Sequence, residues 1–175
     1  MKIMKKKLTG VIAALTGSLL LTLGSPGIAH AAAPDASYYN RLVTLNTGMC
    51  AAVGGNSTSV GAGFIQFPCD GKYNKQFHSQ WAGTNAYFLR VRSTNLCMTP
   101  ESTAEHAVIR QQYCANSDLQ VWVTEYMGND NYRLRNRATG FCMGPGWGMT
   151  WSGQPLEQAT CGTFAGQDWR FVMTG

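Results

Sequence analysis

The sequence predicts an all-β domain in which one unit is used three times. Three observations carry that prediction: the spacing of six cysteines, a leucine and an aromatic residue at set distances from them, and short alternating runs between turn residues. The cysteines stand at 50, 69, 97, 114, 142 and 161, separated by 19, 28, 17, 28 and 19 residues. The first cysteine of each pair ends a short turn motif: Thr47-Gly48-Met49-Cys50, Thr94-Asn95-Leu96-Cys97 and Thr139-Gly140-Phe141-Cys142. Leu42, Leu89 and Leu134 lie eight residues before those cysteines, and Tyr87 and Tyr132 lie ten before the second and third of them. After each second cysteine comes Gln-x-Trp or its remnant: Lys75-Gln76-Phe77, Gln120-Val121-Trp122 and Gln167-Asp168-Trp169. Spacing and residue type agree at several positions at once, which defines a threefold internal repeat near 38–83, 84–127 and 128–174.

The elements follow from local pattern. No stretch after residue 34 holds apolar residues at i, i+3, i+4 and i+7 for long, so helices are poorly supported. Gly, Asn, Ser and Thr interrupt the chain every 8–12 residues. The pieces between them are short and alternate: residues 87–93 (YFLRVRS), 108–113 (VIRQQY), 119–126 (LQVWVTEY), 131–136 (NYRLRN) and 168–173 (DWRFVM). Such pieces read as strands. Three units are too few for an ordinary propeller. Three four-stranded units closing on one axis, a β-trefoil, fit the length. In that arrangement the Gln-x-Trp aromatics point at the axis, with Leu42, Leu89 and Leu134 packed beside them.

The N-terminus reads differently. Lys2, Lys5, Lys6 and Lys7 precede an apolar run from about Leu8 to Leu23, and Ala29-His30-Ala31 supplies a small-x-small cleavage signal. That order predicts a secretory signal peptide over 1–31, cut after Ala31 or Ala33, and a domain over 34–175. The run is shorter than the ~20 residues of a membrane span, so membrane insertion is not expected. Removing the four leader lysines from fourteen basic residues leaves ten against nine acids, so the formal +5 falls to about +1. A nucleic-acid partner, which needs a clustered basic surface, is therefore not expected. Arg90, Arg92, Arg133, Arg135 and Arg137 alternate along the predicted strands as a solvated face.

Six cysteines in an exported domain point to disulfides rather than metal. No Cys-x-x-Cys and no zinc-spaced Cys/His set occurs, and neither His78 nor His106 has a helical His partner. Six cysteines allow fifteen pairings. The repeat favours the one that treats all units alike: Cys50 with Cys69, Cys97 with Cys114, Cys142 with Cys161. Loops of this size are worth about 3 kcal/mol each by loop entropy, against a total stability of roughly 5–15 kcal/mol. No metal or other cofactor is expected.

The Thr-Gly-x-Cys … Cys … Gln-x-Trp repeat resembles the ricin B-chain type lectin domain, from about Tyr38 to Met173. The resemblance implies a β-trefoil that binds carbohydrate. It implies a site in each repeat made of an Asp two residues after the first Cys and an aromatic two before the second. An Asn just before Gln-x-Trp and a Gln four before the second Cys complete it. Such a set gives oriented polar groups beside one apolar platform, as polyol recognition requires. Here the Asp position holds Ala52, Thr99 and Gly144. Repeat 1 keeps the aromatic as Phe67 and the Asn as Asn74, with Ile65 at the Gln position. Repeat 2 has Gln112, Leu119 and Arg110 at those positions, and repeat 3 has Ala159, Gly166 and Glu157. Losing the acidic acceptor leaves sugar hydroxyls unpaired.

Repeat 3 carries Trp147 and Trp151 in a Gly-rich loop near that pocket, and exposed Trp is a common platform for sugars and partners. Trp147 and Trp151 are therefore the first binding candidates, and Phe67 and Asn74 the second. Asn56-Ser57-Thr58 is a glycosylation sequon for a host that has the machinery. Gly-x-Ser-x-Gly, His-Glu-x-x-His and phosphate-loop motifs do not occur, so an enzyme is not expected. The expectation is a secreted carbohydrate-binding protein with a non-standard site, acting on cell-surface or polysaccharide glycans. The alternative is a lectin-like docking subunit of a secreted toxin complex, since the chain looks like the trefoil subunits of cytolethal distending toxins.

Overall fold

Strand follows strand along the chain with only short 3-10 turns between, as the turn residues dictate. The structure is a computed structural model, and it describes Pro34 and residues 36–174. The leader read from residues 1–31, with both cleavage positions, lies outside the described residues. Repeat 1 forms β1 (Tyr39–Thr44), β2 (Cys50–Val53), β3 (Phe64–Phe67) and β4 (Phe77–Gly83). Repeat 2 forms β5 (Ala86–Val91), β6 (Cys97–Pro100), β7 (Ile109–Gln112) and β8 (Val121–Gly128). Repeat 3 forms β9 (Asn131–Asn136), β10 (Cys142–Pro145), β11 (Leu156–Ala159) and β12 (Asp168–Met173).

Six of these strands close a barrel. β1 pairs with β4 and β12, β5 with β4 and β8, and β9 with β8 and β12, all antiparallel. The other six form the hairpins β2–β3, β6–β7 and β10–β11. Single bridges Gly63↔Arg110, Ile65↔Pro155 and Val108↔Glu157 join each hairpin to the next around the axis. This is a β-trefoil.

The period-2 pattern explains the core. In β9 burial alternates strictly, with Tyr132, Leu134 and Asn136 inward. Leu42, Leu89, Leu134, Phe77, Trp122 and Trp169 are all fully buried in one cluster. Each buried indole also needs a partner for its N–H. Trp122 Nε1 donates to Met98 O and Trp169 Nε1 to Met143 O, both at 3.0 Å. The Phe77 ring has no N–H and fills the same place without one. Cys50–Cys69, Cys97–Cys114 and Cys142–Cys161 are joined, one bridge in each repeat.

A second threefold set holds the hairpins together. Gln66, Gln111 and Gln158, each three residues before a second cysteine, are fully buried. Their amide groups reach into the neighbouring repeat. Gln66 Nε2 donates to Met149 O and Trp151 O at 2.8 and 2.9 Å. Gln111 Nε2 donates to Ser57 O and Ser59 O, and Gln158 Nε2 to Ser102 O and Ala104 O. Each amide oxygen accepts from the threonine of its own turn motif: Thr47, Thr94 or Thr139. A buried amide left unpaired is costly, so these bonds specify the packing as much as they stabilise it. The pattern is visible in the sequence as a Gln in IQFPC, RQQYC and EQATC, but it takes the structure to show what the Gln does.

Candidate functional site

The best-formed recess lies in repeat 1. It has a volume of about 250 Å³ and is lined by Ala52 and Val53 of β2, Ile65 and Phe67 of β3, and Lys72, Asn74 and Lys75, among others. The hairpin register sets Ala52 opposite Ile65 and Cys50 opposite Phe67. β2 is buried throughout, while Phe67 at the end of β3 is 41% exposed. The recess thus has an apolar floor and an aromatic wall. The chain then turns through Cys69 and Asp70 into a short 3-10 turn over Tyr73–Lys75, which buries Asn74 and Lys75. Asn74 Nδ2 donates to Val53 O at 2.9 Å, and its Oδ1 is buried with no hydrogen-bond partner.

Lys75 takes the position of the Gln in Gln-x-Trp. In repeats 2 and 3 that Gln ties the loop back on itself: Gln120 Oε1 accepts from Ala115 N and Gln167 Oε1 from Gly162 N, both at 2.6 Å. Lys75 has only donors, so the same loop position must supply an acceptor, and it is Asp70. Lys75 Nζ meets Asp70 Oδ2 at 2.7 Å and lies 5.0 Å from the centre of the Phe67 ring. The Lys75 ammonium, helped by the Lys72 backbone N–H, holds the Asp70 carboxyl below its ordinary value of 3.8. The recess thus lacks the acid of the family pattern at Ala52 and is lined by Lys72 and by Lys75, the latter neutralised by Asp70.

In repeat 3 the matching space is filled. A Cβ on Gly144 would stand 2.9 Å from Gln167 Cγ, and one on Gly166 would stand 2.9 Å from Pro145 Cδ. Neither the Asp nor the Asn of the family pattern fits there without displacing its neighbour. In repeat 2 the corresponding Thr99 hydroxyl is taken up by Gln120 Nε2 at 3.0 Å, and Arg110 is paired with Glu101.

Trp147 and Trp151 are both half-exposed, at 58% and 55%, and neither lines the repeat 1 recess. Trp147 stacks on His106 of repeat 2, ring centres 4.1 Å apart and planes 13° from parallel, and meets Phe164 in a T-shaped contact with ring centres 5.7 Å apart. His106 Nδ1 lies 3.3 Å from Glu157 Oε2. Trp147 holds a left-handed backbone, φ 55° and ψ 19°. That conformation costs a bulky L-residue ~1–2 kcal/mol. The sequence reading named the two indoles and missed His106, which gives no local signal because it comes from another repeat. The structure separates the candidates: Phe67 and Asn74 line one recess, and the tryptophans stand on an exposed loop.

Among the described residues, no three of His, Cys, Asp and Glu gather as metal ligands. No helix among them is long and apolar enough to cross a membrane.

The fold and the repeated corner define a lectin-type trefoil, and comparison with known proteins gives its family. Residues 38–143 match the model of the ricin-type β-trefoil lectin domain, and the chain belongs to that family. Similar solved structures include ThreeFoil, a designed threefold-symmetric protein, at 28% identity and a TM-score of 0.76, covering 80% of this chain and all of that one. An exo-β-1,3-galactanase from Clostridium thermocellum matches at 21% identity and a TM-score of 0.74, over 82% of this chain and 31% of the enzyme. The Macrolepiota procera ricin B-like lectin, solved with lactose, matches at 17% identity and a TM-score of 0.68, over 83% and 99% of the two chains. No curated protein matches significantly.

Proposed function

We propose that this protein is an exported carbohydrate-binding module whose working site is the repeat 1 recess. The observation that carries the reading is the convergence of a half-exposed Phe67, an orphaned Asn74 Oδ1 and two lysines on one recess of about 250 Å³. A ring seated there stacks its C–H face on Phe67 and offers its hydroxyls to Asn74 and the ammonium groups. The volume lies below the roughly 300–1,000 Å³ of a drug-sized pocket, which suits a single sugar ring of a longer chain. Binding per site is weak, so useful retention comes from a multivalent ligand. Export is supported by the basic-apolar leader over 1–31 and by the three disulfides.

A second reading rests on one specific observation. Trp147 is exposed, pinned by His106 and held in a strained backbone, and strain retained at a surface residue points to use. On this reading the Trp147–Trp151 loop anchors a secreted protein partner, as in a docking subunit.

The test is a glycan array probed with oxidised residues 32–175, beside Phe67→Ala and a Trp147→Ala/Trp151→Ala double variant. The expected result is binding that falls about tenfold in Phe67→Ala, the scale of one lost aromatic contact, and persists in the double variant. Loss in the double variant alone moves the site to repeat 3. Silence on the array, with capture of one secreted protein through the tryptophans, replaces the lectin reading by the docking one.

A further inference from the structure

The segment 71–76 has a recess on each side. Lys72, Asn74 and Lys75 line the one already described, while Gly71, Tyr73 and Gln76 line a second of about 300 Å³, with Arg41, Arg92 and Thr174. The two arginines of this second recess differ from most others in the chain. Arg110, Arg133, Arg135 and Arg137 each pair with a carboxylate. Arg41 and Arg92 have no such pair among the described residues. Arg41 Nε is buried with no hydrogen-bond partner, and unlike Arg135 Nε, which also lacks a well-aligned bond, it has no carboxylate beside it among the described residues.

Arg92 is held ready for a ligand. Its guanidinium carbon lies 3.9 Å from the centre of the Tyr73 ring and 4.5 Å from that of Tyr39. Its Nη1 donates to Gln76 Oε1 at 2.6 Å, and Gln76 Oε1 also accepts from the Thr174 hydroxyl at 3.2 Å. The clamp fixes the plane of the fork and leaves donors unspent. A fixed guanidinium fork matches the paired oxygens of a carboxylate or sulfate, and an unpaired buried donor calls for such an acceptor.

We propose that the Arg41–Arg92 recess binds an anionic substituent, a carboxylate or a sulfate ester, of a glycan whose neighbouring ring occupies the Phe67 recess. This rests on the sugar-binding reading of repeat 1 for the second half of the statement only. The anion site stands on its own residues. The ligand class is then an acidic polysaccharide laid across segment 71–76, with Lys72 on one side and Arg41 and Arg92 on the other.

Two measurements test the two halves separately. In the first, inorganic sulfate is titrated into the labelled protein while the arginine Nε–Hε signals are followed by NMR. The signals of Arg41 and Arg92 shift saturably and those of Arg110 and Arg133, whose Nε–H groups donate to Glu101 and Asp168, do not; an unselective response, or none at Arg41 and Arg92, overturns the proposal.

In the second, retention is compared on polygalacturonate and its methyl ester, and on a sulfated galactan and its desulfated form. The acidic member of at least one pair is held about tenfold more tightly, the effect of one charge-assisted hydrogen bond, and which pair responds identifies the anion. Arg41→Gln/Arg92→Gln brings it down to the level of the neutral member. Equal retention of charged and neutral forms overturns the proposal. Phe67→Ala weakens charged and neutral forms alike if the sugar reading holds. A sulfate response that survives while Phe67→Ala changes nothing removes the sugar reading and keeps the anion site.

Discussion

In repeat 1 the turn after β2 puts Gly55 in the left-handed region, φ 60° and ψ 13°, and beside it a recess stays open. In repeat 3 the same turn after β10 puts Trp147 there, φ 55° and ψ 19°, and the matching space is filled by Pro145 and Gln167. One backbone corner thus serves opposite ends. In repeat 1 a glycine takes the first left-handed position and Asn56, φ 55°, a small residue that tolerates it, takes the second, so no bulky ring is placed at the corner and the neighbouring side chains are free to shape a pocket. Where a tryptophan takes that first position, a large exposed ring is obtained, and contacts with His106 and Phe164 must offset the strain. The two repeats also differ one layer down. Gln167 closes its loop with a neutral amide, whereas Lys75 does so with an ion pair to Asp70, and that change puts a matched pair of charges beside the repeat 1 recess.

The largest test of this contrast is an exchange at the Asn position. Gly166→Asn in repeat 3 forces a Cβ to within 2.9 Å of Pro145 at φ +85°. It is expected to cost about 3 kcal/mol, the scale of overpacking with added backbone strain, read as a lower denaturation midpoint. The reciprocal Asn74→Gly loses the bond to Val53 O and is expected to cost about 1–2 kcal/mol. Equal costs would mean that the two corners are not packed differently.

A smaller effect separates strain from stacking at Trp147. Trp147→Gly and Trp147→Ala both remove the stack on His106, but only Ala keeps the left-handed penalty. The Gly variant should therefore be the more stable by about 1 kcal/mol. No difference between them in thermal unfolding would show that the turn stores no strain.

The smallest effect is the pH response of the Lys75–Asp70 pair. Asp70 is held below 3.8, so its contribution is fully present above that value and is lost as pH falls through the lower folded value. An NMR titration of the Asp70 carboxyl should give a midpoint below 3.8, and Lys75→Gln should raise it. A midpoint unmoved by that substitution would remove the ion pair from the account.

Most of the fold was legible because its determinants are local and repeated. Leu42, Leu89 and Leu134, Trp122 and Trp169, and the three cysteine pairs recur at fixed spacing, and all of them sit at equivalent places around the axis. The candidate site was legible only in part. Phe67 and Asn74 were named by position and both line the repeat 1 recess, whereas Trp147 and Trp151, named first for their ring size, stand on an exposed loop outside it. Gly144 and Gly166 read as lost ligands, whereas the structure shows that Gln167 and Pro145 leave no room for any side chain. The clamp on Arg92 joins Tyr39 and Tyr73 of repeat 1 to the end of β5, and no local pattern marks such a meeting.

The glutamine bonds between hairpins have a consequence for how the domain is counted. They run one way round: repeat 1 reaches repeat 3, repeat 3 reaches repeat 2, and repeat 2 reaches repeat 1. A linear array of repeats has ends and can be lengthened or trimmed one unit at a time. A ring has none, so excising any unit opens two seams and strands both a donor amide and a set of acceptors. The copy number is then fixed by closure. Each repeat is free to change its exposed corner, as the first and third have done, only while its share of the seam stays intact.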